Sequence, residues 1–114
     1  MVKIVTDSCS DISQEEAKKL GISVVAAYVN FGDETYRDGI DLSVDEFYTK
    51  LLQSGSHPTT ATPSPGDFAA VYNKLCDETD EIVSIHVTKK HSALIESAIL
   101  GKQMLKKSGC RIEV

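Results

Sequence analysis

The sequence predicts an α/β fold, a mainly parallel sheet with helices on both faces, built as one domain over residues 1–114. Three observations predict it. Segments of strand character alternate with segments of 3.6-residue apolar period along most of the chain, the order that yields parallel strands joined by helical crossovers. The helical segments open on serines placed to cap them. With 114 residues, 41% hydrophobic and 25% charged, the chain is long and apolar enough for one core without disulfide or metal staples.

Lys3 to Thr6, K-I-V-T, reads as a short apolar strand that runs into the polar turn Asp7-Ser8-Cys9-Ser10. Ser13 with Glu16 makes a capping box, Ile12 is placed to staple onto Ala17, and Gly21 ends this first helix. Ile22 to Phe31, rich in β-branched and aromatic residues, predicts one nearly continuous buried strand turned by Gly32-Asp33. Glu34 to Asp41 has the polar, glycine-containing character of a short strand or hairpin arm. A second capping box, Ser43 with Glu46, opens a helix in which Val44, Phe47, Tyr48, Leu51 and Leu52 predict a core-facing stripe. Gln53 to Thr62 is a polar connection with no apolar pattern.

The stretch from Pro58 to Phe68, P-T-T-A-T-P-S-P-G-D-F, packs hydroxyls and prolines against a helix start. Ser64 suits the N-cap, Pro65 the first helical position, and Asp67 the positive end of the helix dipole. Phe68, Val71, Tyr72, Leu75 and Cys76 then give the stripe that is buried. Glu81 to Val87 predicts a strand with Ile82, Val83, Ile85 and Val87 favouring burial and His86 packed or at an edge. Ser92 is the expected N-cap of a last helix that offers Leu94, Ile95, Ala98, Ile99 and Leu105 to the core and stops at Gly109. Cys110 to Val114 alternates as a final strand.

A net charge of −5 argues against a nucleic-acid surface, which needs a basic stripe for phosphates. No apolar run approaches the ~18 residues of a membrane span, and no signal-peptide core opens the chain, so a cytoplasmic protein is expected. The three cysteines, Cys9, Cys76 and Cys110, are odd in number and far apart, a poor pattern for disulfides or structural zinc. His57, His86 and His91 share no metal-ligand spacing, and no metal site is read.

In such sheets the loops at the carboxyl ends of the strands form the binding crevice, and three qualify: Asp7 to Ser10, Thr59 to Ser64, and Thr88 to Ser92. The helix starts at Ser64 and Ser92 add hydroxyls and exposed amides, which suit a carboxylate or phosphate oxygen pair. No G-x-G-x-x-G, Walker-type or G-x-S-x-G motif occurs. A small hydrolase or phosphotransfer enzyme built on Asp7, Ser8 or Ser92 is the alternative reading, and a ligand-free interaction domain the third.

The order V-T-D-S at Val5 to Ser8, Y-R-D-G at Tyr36 to Gly39, F-Y-x-x-L at Phe47 to Leu51, P-x-T-x-x-P-S-P-x-D-F at Pro58 to Phe68 and S-A-L-I-E-S-A at Ser92 to Ala98 resembles the amino-terminal domain of the bacterial DegV family. The resemblance implies a fatty-acid carrier that is not itself an enzyme. It holds the carboxylate between two domains, buries the acyl chain mostly in the second, and in some members presents the bound acid to a fatty acid kinase subunit. It implies no cofactor beyond a long-chain fatty acid as ligand. By position, Thr60 and Ser92 would bind the head group with the Ala93 amide, and Thr62, Asp7 and Ser8 line the same site. Ala61 stands where the family has serine, and Ala93-Leu94 where it has Gly-Thr. Members carry a second domain after the final strand and this chain stops at Val114, which reads as a fragment or a truncated natural product whose uncovered face is expected to self-associate.

Overall fold

The computed structural model describes residues 1–55, 57–106 and 109–114. In chain order the elements are β1 (Lys3–Asp7), a 3-10 turn (Ser8–Ser10), α1 (Gln14–Leu20), β2 (Ile22–Val25), β3 (Tyr28–Phe31), β4 (Glu34–Arg37), α2 (Val44–Gln53), β5 (Thr59–Ala61), α3 (Pro65–Cys76), β6 (Glu81–Ser84), α4 (Leu94–Gln103) and β7 (Arg111–Glu113). Four strands, in the order β2-β1-β6-β7, make the expected parallel sheet. The chain steps from β1 to β2 in one direction and from β6 to β7 in the other. Right-handed crossovers therefore put α1 on one face and α3 with α4 on the opposite face. The fold class expected from the sequence holds.

The sheet is not alone. β4, β3 and β5 form a second, antiparallel sheet, so the single strand expected over Ile22 to Phe31 is two strands in two sheets. The break falls at Ala26-Ala27. Ser8 Oγ accepts the Ala27 amide at 3.0 Å, and the Ala27 carbonyl accepts the Asp38 amide at 2.8 Å, so neither group is left to lengthen the β1 ladder. The stretch expected as a patternless connection contains β5, while its residue 56 lies outside the described residues. The Y-R-D-G motif ends β4 and opens the turn after it: Arg37 donates to both carboxylate oxygens of Asp41, and Gly39 takes φ 76°, a left-handed conformation that glycine adopts without strain.

Two cores follow from the two sheets. The larger joins Val5, Val25, Ile82 and Ile112 of the parallel sheet to Phe68, Tyr72, Leu75, Leu94 and Ala98. The smaller, Val29, Phe31 and Leu42 with Tyr36 and Phe47, lies under the antiparallel sheet. A domain of this size has an expected radius of gyration of about 13 Å. The observed 14.9 Å and extents of 49 × 27 × 23 Å reflect a small sheet that projects from the large one.

All three expected capping boxes or caps at α1, α2 and α3 form as read, with Ser13–Glu16, Ser43–Glu46 and Ser64–Asp67 each bonded reciprocally. The burial of α2 does not follow the expectation. Val44, Tyr48 and Leu52 are 69%, 58% and 87% exposed, and the helix reaches the small core only through Phe47. Of the four apolar residues expected to be buried between Glu81 and Val87, only Ile82 is, because Val83 points to the face opposite α3 and α4, and Ile85 and Val87 follow the strand's end. In α4, Leu94 and Ala98 are buried but Ile99 is exposed. That helix ends at Gln103, not Gly109; residues 107–108, which the longer helix would include, lie outside the described residues.

Gly101 is where α4 crosses α3. A Cβ there would sit 2.6 Å from Phe68 Cβ and 2.8 Å from the Pro65 carbonyl oxygen, and neither atom is the end of a flexible chain. Gly101→Ala is expected to destabilise by about 1–3 kcal/mol despite alanine's better helix propensity. A urea midpoint at or above the parent's would show that the helices can move apart freely.

Cys76 at the end of α3 and Cys110 before β7 form a disulfide, contrary to the reading from cysteine number and spacing. The α3–β6–α4–β7 path returns the chain to its own start, with Cα atoms 5.8 Å apart across 34 residues. Cys9 is the free thiol. Its side chain is exposed, and partial burial and the neighbouring Asp7 raise its pKa, which lowers the share present as thiolate. Thiol titration of unreduced, denatured protein should give one equivalent, and three after reduction; three without reductant would refute the bridge.

Candidate functional site: the loops at the carboxyl ends of the parallel strands

The strand order reverses direction at β1 and β6, and the crevice of such a sheet lies beyond the carboxyl ends of those two strands. Asp7 ends β1 there, with its side chain 2% exposed, and His86 follows β6 with its side chain fully buried. His86 Nδ1 lies 2.6 Å from Asp7 Oδ2, and its Nε2 lies 2.5 Å from Ser84 Oγ. Ser84 Oγ also accepts the Tyr72 hydroxyl at 2.7 Å, and Asp7 Oδ1 accepts the Cys9 amide at 2.8 Å. An ionised carboxylate only accepts. The donors therefore run one way: Tyr72 O–H to Ser84, Ser84 O–H to His86 Nε2, and His86 Nδ1–H to Asp7. Burial raises the Asp7 pKa, but the bonds from His86 and Cys9 outweigh it and hold the carboxyl below the usual aspartate range.

The order Asp–His–Ser has the connectivity of a nucleophilic triad, where the sequence suggested only a packed or edge imidazole at His86. Its partners lie 79 residues apart, so no local spacing reveals it. The geometry nonetheless does not serve attack on a substrate. Ser84 is 3% exposed and roofed by Tyr72, so no reacting carbon reaches its oxygen. Ser92, the other candidate nucleophile, has no bond to an imidazole among the described residues; its Oγ accepts the Leu94 amide at 3.1 Å. Ala93, not Ser92, is the N-cap residue of α4.

The remaining candidates occupy the same end of the fold. β3 follows β2 after two residues, so the antiparallel sheet lies beyond the strand ends, and β5 brings Thr60 opposite Val29. Thr60 and Thr62 are exposed, and their hydroxyls make no hydrogen bond among the described residues. The Ala93 amide likewise has no in-chain acceptor among them. No hydrogen bond links Thr60, Thr62 and Ser92 to one another. Ser8 accepts the Ala27 amide through its oxygen and keeps its O–H, as Ser92 does beside Leu94. Tyr28 at the start of β3 donates to Asp67 Oδ2 at 2.9 Å, clamping the small sheet to the first turn of α3. That bond raises the Tyr28 pKa; at Asp67, burial is outweighed by the bonds from Ser64 and Tyr28, and the carboxyl is held low.

These features define a doubly wound α/β domain with an antiparallel appendage over its strand ends, presenting uncommitted hydroxyls and an amide there. The chain belongs to the DegV family: the family's model, described as one of uncharacterised proteins, matches residues 1–114. A DegV domain-containing protein of Caldanaerobacter subterraneus subsp. tengcongensis is 41% identical over 99% of this chain and 39% of its own length. A solved DegV family protein from Thermus thermophilus, described for its fatty acid binding, superposes with TM-score 0.83 at 37% identity, over 99% of this chain and 39% of that one. The structure of DegV from Bacillus subtilis, described as a fatty acid binding protein, gives TM-score 0.89 at 29% identity over 98% of this chain and 39% of its own. The chain thus spans about 39% of the length of these relatives.

Proposed function

We propose that this chain binds the carboxylate head group of a long-chain fatty acid at its strand-end loops and acts as a carrier, not as a catalyst. The observation that carries this reading is its 37% identity, over 99% of the chain, to a Thermus thermophilus protein described for fatty acid binding. The donors support it. Thr60 and Thr62 have free hydroxyls, Ser92 retains its O–H while its oxygen caps Leu94, and the Ala93 amide is unpaired among the described residues. Hydroxyl and amide donors match an acceptor-only carboxylate. Asp7 and Ser8 belong to the site by fixing its loops, since both Asp7 oxygens and the Ser8 oxygen accept hydrogen bonds within the chain. The bound acid is then available to a separate fatty acid kinase in a cytoplasmic setting.

The test uses the longest natural form of the protein. An organic extract of the purified protein should contain fatty acid by mass spectrometry. Thr60→Val and Ser92→Ala should each weaken palmitate binding about tenfold or more, since a hydrogen bond to a charged group contributes roughly 1.5–3 kcal/mol. An empty extract together with unchanged affinity in the double substitution would refute the reading.

A further inference from the structure

We infer that His86 is the positioning residue of the head-group site: it locks the loop that carries Ser92 and Ala93 to the end of β1 and to the first turn of α3. The inference rests on the fatty-acid reading above and goes beyond it in assigning a residue that touches no ligand.

Residues 87–93 run between two buried anchors, His86 at one end and Leu94 at the other. Between them the chain is exposed or half-buried, and its internal support is one turn bond, from the His91 amide to the Thr88 carbonyl, with a peripheral Lys89–Glu96 ion pair. Leu94 is fixed by the core. His86 is fixed by three contacts at once: Asp7, Ser84, and the edge of the Phe68 ring with centroids 5.2 Å apart. The contacts with Asp7 and Phe68 lead to other parts of the candidate site. Asp7 holds the turn at Cys9, and next to it Ser8 pins Ala27 at the head of β3, which pairs with the Thr60 strand. Phe68 lies in the first turn of α3, just after the loop carrying Thr62. One imidazole thus bonds to the first loop at Asp7, lies just before the loop that carries Ser92, and packs on the helix that follows the loop carrying Thr62.

The far end of the same network gives an internal control. Ser84 and Tyr72 face the core beneath His86 and touch none of the three loops, so a merely structural role predicts that trimming either end of the network acts alike. A positioning role predicts that only the His86–Asp7 end changes head-group recognition. The discriminating readout is the ratio of affinities for palmitate and palmityl alcohol, which share the chain and differ in the head group.

Titrations of the full-length natural protein should show that His86→Leu weakens palmitate at least tenfold with little change for the alcohol. His86→Asn, whose side-chain amide can still donate to Asp7, should recover most of that loss. Tyr72→Phe should lower the thermal midpoint and leave the ratio unchanged. Should His86→Leu not fold, Asp7→Asn serves in its place, because its amide nitrogen would oppose a donor at either Cys9 or His86. An unchanged ratio in the His86 or Asp7 variant overturns the inference, as does an equal fall for acid and alcohol. A parent protein that binds no palmitate overturns the fatty-acid reading itself, a different result from either of these.

Discussion

Asp7→Ala is expected to cost about 3–5 kcal/mol at neutral pH, the range for removing one partner of a buried hydrogen-bonded pair. The substitution strands two buried donors, His86 Nδ1–H and the Cys9 amide, and loosens the one-way chain through Ser84 to Tyr72. Small domains have only about 5–15 kcal/mol in total, so the variant should sit near the edge of folding. The pH dependence has a fixed sign. A carboxyl held below its ordinary value of 3.8 contributes stability that is fully present above that value and is lost as the pH falls through the folded-state pKa. The gap between parent and variant should therefore be constant from neutrality down to about pH 5 and shrink below pH 4. Urea denaturation followed by circular dichroism at several pH values measures it. A difference under about 1 kcal/mol at pH 7 would mean that water replaces the carboxylate, and that the network is not what holds the strand ends.

Much of this fold is visible in residues three or four apart. Ser13–Glu16, Ser43–Glu46 and Ser64–Asp67 form as boxes because the two partners belong to one helical turn and need nothing from elsewhere. The alternation of strands and helices, and the family motifs spread over the whole length, likewise survive reading without coordinates. What could not be read depends on distant partners. The break at Ala26-Ala27 is imposed by Ser8, 19 residues earlier, and no propensity at Ile22 to Phe31 reports it. The Cys76–Cys110 bridge requires α3 and β7 to meet. The α2 stripe shows the limit of periodicity: Val44, Tyr48 and Leu52 do share a face, but a repeat of 3.6 says that a face is apolar, not what covers it. Of the candidate site, the hydroxyls at Thr60, Thr62 and Ser92 were legible as a composition, whereas the contact of His86 with Asp7, 79 residues away, was not.

Residues 1–114 alone should bind palmitate far more weakly than the longest natural form, even though they carry the proposed head-group donors. Most of the affinity for a long-chain acid lies in the chain, at about 0.8 kcal/mol for each methylene taken out of water. The large aliphatic and aromatic side chains here are already spent on the two cores. The apolar residues left at the surface, such as Val44, Tyr48 and Leu52 on α2 and Val83 and Ile85 at β6, lie on open faces. A cleft of about 310 Å³ between the β1 loop and the start of α2 is lined by Ile12, Val24 and Val44 beside Asp11, Gln14 and Asp38, and it is half open to solvent, so it would cover an acyl chain only in part. Leaving even about five methylenes in water forgoes about 4 kcal/mol, close to a thousandfold in affinity. The head-group bonds that remain compete with water at exposed hydroxyls. Calorimetric titration of palmitate into monomeric 1–114, beside the same titration of the longest natural form, measures the difference. Submicromolar, stoichiometric binding by residues 1–114 would show that the acyl chain lies within this domain, and the two open faces of α2 and β6 would then be the place to look for it.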